Sequence, residues 1–248
     1  MVNQKVFEIG CARNQPTQES GKIQIIRSLP AVPVLSETLL LMELMVRQRC
    51  VDLTQVSGLI FSDLGATLQV LRLAGCEGSF PPDSPYRIED CISDLGVDRC
   101  LEAMARCTLS RSTRHSALLA FWTHAREISN LCATVAQQIS EDLNPEDACL
   151  VGLCHELGVL PTVLAWDCSL PADKDRAALK IAHAWRLPSS VLQYFSNLLT
   201  PGASNRWSEV VDRAHQLAGS SWPQPPEYGH VGVEADSWAG LQVASSWN

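Results

Sequence analysis

Asn144-Pro145-Glu146-Asp147-Ala148-Cys149-Leu150-Val151-Gly152-Leu153-Cys154-His155-Glu156-Leu157-Gly158 reads as one helix with a histidine near its far end. Asn is a good N-cap, Pro fits the first helical position, and acids in the first turn complement the helix dipole. From Ala148 to Cys154 the stretch is apolar all round, as a helix buried on most sides must be. About thirty residues upstream, Phe121-Trp122-Thr123-His124-Ala125-Arg126-Glu127 carries a second histidine. The spacing Phe121, His124, Ile128, Leu131, Val135 predicts that His124 points inward. Two imidazoles and the Glu156 carboxylate are thus offered between packed helices, which is how a metal site in a helical protein is built.

The rest of the chain repeats the helical period. Pro30 and Pro33 introduce a helix over Val34 to Gln48, and Asp52 caps another over Leu53 to Phe61. A third covers Ala66 to Ala74 and is expected to stop near Gly75. Gly78 to Pro85 is too rich in proline for a helix and reads as a loop. Further helices are predicted over Ile88–Leu95 with a left-handed cap at Gly96, Asp98–Leu109, His115–Ile139, Ala172–Trp185, Pro188–Leu199 and Trp207–Ala218. No alternating strand pattern appears, so the expected fold is all-α: a multi-helix domain of about ten helices with no substantial sheet. Residues 1–22 read as a flexible lead-in, 23–219 as the helical domain, and 220–248 as a tail rich in Pro, Gly and Ser with isolated Trp222, Trp238 and Trp247.

Composition narrows the classes. A 46% hydrophobic chain of 248 residues has ample core material. With 27 acidic against 19 basic residues, a net −8, it lacks the basic footprint of a nucleic-acid binder. Arg106, Arg111, Arg114 and His115 form a local basic cluster that reads as helix surface. Ten cysteines contain no Cys-x-x-Cys pair, which favours reduced core thiols. The N-terminus has no signal-peptide core, and Leu39-Leu40-Leu41-Met42, interrupted by Glu43, is too short to span a bilayer. A cytoplasmic protein without membrane contact is expected. Ser110, Ser112 and Ser116 lie near His115, but no base and orienting group can be read beside them. Trp122 and Trp185 read as core anchors, and His183 as solvent-facing.

Six segments in order resemble the HDOD domain family, a degenerate relative of the HD-domain metal-dependent phosphohydrolases, over roughly residues 27–218. Leu29-Pro30-Ala31-Val32-Pro33 is similar to the family's opening Leu-Pro motif. Asp63-Leu64-Gly65-Ala66-Thr67-Leu68-Gln69-Val70-Leu71-Arg72-Leu73-Ala74 resembles its Leu-Leu-Arg-Leu-Ala helix, and Ile88 to Gly96 its next step. Trp122-Thr123-His124, Gly152 to Gly158, and Trp185-Arg186-Leu187-Pro188 resemble the remaining three.

In active HD enzymes a first His, a His-Asp pair and a later Asp hold the metal. The resemblance puts His124 and His155 at the two histidines, Glu156 at the Asp of the pair, and His215 where the later Asp would fall. The auxiliary histidines after the Leu-Pro motif map to Leu198-Leu199 and are absent. Three imidazoles and one carboxylate suit Zn²⁺ better than Mg²⁺ or Mn²⁺, which prefer oxygen ligands. The competing reading leaves His124 and His155 as core histidines hydrogen-bonded to each other, to Glu156 or to backbone carbonyls.

The expectation is therefore a pseudo-enzyme: a signalling or regulatory module with no catalytic residue and no cofactor, save zinc or another divalent ion at the degenerate site. Its partner would be a signalling protein, reached in trans, since no receiver, cyclase or DNA-binding segment is recognisable; the oligomeric state stays open. Two other classes compete. One is a divergent metal-dependent phosphohydrolase using Glu156 and His215 as substitute ligands. The other is a sensor that binds a nucleotide in the former active-site pocket.

Overall fold

The structure is a computed structural model, and it describes residues 29–47, 52–77, 87–107, 115–166, 170–203 and 205–219. The expected lead-in at 1–22, the loop at 78–85, the tail at 220–248, and Arg111, Arg114, Ser110 and Ser112 lie outside the described residues, as do the side chains of His115 and Ser116.

Eleven α-helices are described: α1 Ser36–Arg47, α2 Leu53–Phe61, α3 Leu64–Glu77, α4 Ile88–Leu95, α5 Val97–Ala105, α6 His115–Ile139, α7 Pro145–Cys154, α8 Leu160–Val163, α9 Lys174–Ala184, α10 Ser189–Leu198 and α11 Arg206–Ala218. One 3₁₀ turn, Leu157–Val159, joins α7 to α8. The fold is all-α, as the periodicity predicts. Helices α1–α5 pack mainly on one another, and α6, α7, α9, α10 and α11 form a second group in which α6 lies along α7 and α11 lies along α6.

The caps follow the chemistry of their residues. Asn144 Oδ1 accepts from the Glu146 amide at 2.9 Å, and Asp52 Oδ1 from Thr54 at 3.0 Å. Gly96 ends α4 with φ 81° and ψ 145°, a positive φ open to glycine, although not the left-handed helical cap predicted. Helix α3 departs from expectation by running past Gly75 to Glu77. Gly75 stays helical because Arg186 packs on it. A Cβ there would lie 3.0 Å from Arg186 Cβ, and Arg186 Nη1 donates to the Gly75 carbonyl at 3.0 Å.

The two helix groups are joined through buried polar contacts. Asp63, fully buried, accepts from the Leu35 amide at 2.8 Å, the Ala66 amide at 3.2 Å and Trp122 Nε1 at 2.8 Å. Trp122 and Trp185 are core residues, and His183 is exposed. Cys91, Cys100, Cys107, Cys132, Cys149 and Cys154 are free thiols, and burial pushes Cys91, Cys132 and Cys154 up to about 12. Among the described residues, no single helix is long and apolar enough to cross a membrane.

Candidate functional site

Close approach of α6 and α7 positions the site. Gly152 sits so tightly on α6 that a Cβ would come within 2.8 Å of Cys132 Sγ and 2.9 Å of Ser129 Cα. Ser129 Oγ donates to the Cys149 carbonyl at 2.8 Å, adding a side-chain tie between the same two helices. His155 follows as the C-cap of α7, and its Nδ1 lies 2.7 Å from the Gly152 carbonyl. A carbonyl only accepts, so Nδ1 carries the proton and Nε2 is left with its lone pair free. His155 Nε2 is shielded from solvent and finds no hydrogen-bond partner among the described residues.

Helix α6 delivers His124 to the same point, buried to 2% exposure, and α11 brings His215, which is half-buried. The three rings pack against one another, two pairs edge-to-face and one tilted, with centroids 5.2 Å apart for His124–His155, 5.2 Å for His124–His215 and 4.9 Å for His155–His215. One ring nitrogen from each lies within 4.8 Å of the other two. Glu156 borders the cluster, its Oε2 3.9 Å from His124 Nε2. Of the four residues singled out in the sequence, the three histidines come together and Glu156 lies at their border.

Electrostatics keep the rings neutral. Desolvation lowers His155 to about 3, with the neighbouring imidazoles His215 and His124 pushing the same way against the Gly152 hydrogen bond. Desolvation, then His215, lowers His124 to about 4. His215 is lowered by desolvation and partly restored by Asp212. Burial raises the Glu156 carboxyl, and Lys174 works against that rise. With His124 neutral at physiological pH, its contact with Glu156 is not an ion pair. Neutral imidazoles are the form that ligates a metal.

Two contributors escaped the sequence reading. The Gly152 carbonyl fixes the His155 tautomer, and the spacing of three residues within one helix turn was its only signal. Lys174, at the start of α9, influences both His155 and Glu156, and its carbonyl abuts Gly158, where a Cβ would meet it at 1.9 Å. That contact joins segments with no local sequence relation.

A chain of helices closing on inward histidines has the build of an HD-like domain. A family model described as HDOD domain matches residues 32–168, more than half of the chain, and the chain belongs to the HDOD family. The matched range contains His124, His155 and Glu156, while His215 lies beyond it. Two crystal structures of the MmoQ response regulator from Methylococcus capsulatus strain Bath share the fold. One has a TM-score of 0.61 at 17% identity and covers 78% of this chain and 90% of that one. The other, a fragment spanning 20–298, has a TM-score of 0.60 at 17% identity and covers 78% and 88%. No curated protein matches the chain.

Proposed function

We propose that the protein is a non-catalytic signalling module that works through protein contacts and holds a degenerate HD site in its core. The observation that carries this reading is the donor set: three imidazoles packed on one another with one carboxylate at their edge. Hydrolysis of a phosphoester by Mg²⁺ or Mn²⁺ needs oxygen ligands, open coordination positions for water and substrate, and groups to hold the phosphate. Among the described residues, the lysine that acts on the cluster is Lys174, and His124 is sealed from solvent. Membership of the HDOD family and the fold shared with proteins described as response regulators add support for a signalling role. Its partner, on this reading, is another signalling protein and not a nucleic acid, given the net charge of −8.

The test is hydrolysis of linear and cyclic nucleotide phosphoesters by the purified chain with Mg²⁺, Mn²⁺ or Zn²⁺. Rates equal to those of the His155→Ala variant are expected. A metal-dependent rate that His155→Ala abolishes would establish the phosphohydrolase reading instead.

A further inference from the structure

The geometry points to a Zn²⁺ site built from His124, His155 and His215, closed by Glu156, that ties the C-terminal helix α11 to the α6–α7 pair. Three observations converge on it. The ligand atoms of the three histidines lie within 4.8 Å of one another, one from each of three separate segments. Tetrahedral zinc with Zn–N bonds of about 2.0–2.1 Å needs ligand nitrogens roughly 3.4 Å apart, so ring rotations and a shift of about 1 Å complete the site. His155 Nε2 is a buried acceptor with no hydrogen-bond partner among the described residues, an arrangement that costs free energy unless something binds it. Its other nitrogen donates to the Gly152 carbonyl, the outer contact that orients a metal-ligating imidazole and raises its basicity.

The donor set selects the ion. Imidazole suits zinc, and three imidazoles with one carboxylate make a four-coordinate site without the oxygen-rich shell that Mg²⁺ and Mn²⁺ require. Glu156 Oε2, 3.9 Å from His124 Nε2, is the carboxylate at the edge of the cluster that a side-chain rotation would bring in as the fourth ligand. Charged groups that act on the site among the described residues include Lys174, which opposes a cation, and Asp212, which favours one beside His215. His215 gives the site its consequence. It is the ligand on α11, so zinc links that helix to the two histidines of the family-matched region and its loss loosens the dock. The site deepens the proposed function by making zinc occupancy a determinant of which surface α11 presents.

The test uses the full chain, purified without metal-affinity resin and stripped with chelator. It is titrated with Zn²⁺ against a chromophoric competitor and with Co²⁺ while the visible spectrum is followed. One equivalent per chain, a tetrahedral Co²⁺ spectrum, and zinc-induced protection of α11 amides from hydrogen exchange are expected. His155→Ala and His215→Ala should each abolish the stoichiometric site, and Glu156→Gln should weaken it about 10- to 100-fold. Circular dichroism checks that each variant keeps its helix content. Should His155→Ala unfold, the half-buried His215→Ala and the wild-type Co²⁺ spectrum still decide. No saturable equivalent in the wild type, equal binding in His215→Ala, or Mg²⁺ competing as well as Zn²⁺ would overturn the site. None of these results bears on hydrolysis, so the proposed function stands or falls separately.

Discussion

Asp63 has no exposed surface, yet its carboxyl group accepts from two backbone amides and the Trp122 indole. Burying a carboxyl is costly unless its oxygens are satisfied, and here one side chain caps α3 while tethering α6 and the segment before α1. Asp63→Ala removes the acceptor and strands three buried donors. Loss of about 3 kcal/mol or more of stability is expected in urea denaturation, with the Trp122 fluorescence shifting in the folded state. An unchanged midpoint would show that water replaces the carboxyl. The sequence marked Asp63 only as the start of a helix motif, because its partners Leu35 and Trp122 lie 28 and 59 residues away. His124 was legible for the opposite reason. Its direction follows from the period of its own helix, whereas His215 was placed by resemblance and its meeting with His155 is a tertiary fact.

The helical elements were legible wherever period and caps agreed, as in α2 and α7. They were not where tertiary packing overrode local propensity. Gly75 reads as a stop, but Arg186 fills the space that a side chain would take and α3 continues. The 3₁₀ turn and four-residue α8 were missed because elements so short carry no periodic signal. Arg186, with φ 53°, closes α9 by letting the Leu187 amide reach the Ala182 carbonyl at 3.0 Å, a Schellman geometry that a sequence scan seeks at glycine. The element contact that matters most for the site is Gly158 against Lys174. A methyl group at 158 would sit 1.9 Å from a backbone oxygen, which cannot rotate away. Gly158→Ala should therefore push α9 off the turn after His155 and cost about 1–3 kcal/mol, read as a lowered thermal midpoint. It should also weaken zinc binding by displacing Glu156. Wild-type stability in this variant would contradict the close packing.

At the scale of the whole molecule, the neutral histidine cluster makes folding pH-dependent. In the metal-stripped chain, burial pushes His124 down to about 4 and His155 down to about 3, below the ordinary imidazole value of about 6.5. The unfolded chain therefore takes up protons first as pH falls, and each proton taken up favours unfolding. Stability is full above about pH 6.5 and declines by about 1.4 kcal/mol per pH unit for each such imidazole, until the folded-state values are reached. Denaturation midpoints measured from pH 7.5 to 4.5 should fall accordingly, and the fall should be smaller in His155→Ala than in the wild type if that variant folds. A flat profile would mean that the rings are solvated. Zinc should steepen the dependence, because protons compete for the same nitrogens.

The sequence made the all-α class and the family plain, since both are carried by repeated local patterns. The chemistry of the core was only half legible, because convergence of three imidazoles depends on how α11 returns across α6. On the reading proposed above, this core holds a ligand set without performing hydrolysis. The most direct test of that reading is turnover of bis(p-nitrophenyl) phosphate by the wild-type chain at full zinc occupancy and again with Mn²⁺, beside His155→Ala. Equal, background rates for the two proteins are predicted. A metal-dependent rate in the wild type that disappears in His155→Ala would contradict the claim and make the cluster an active site.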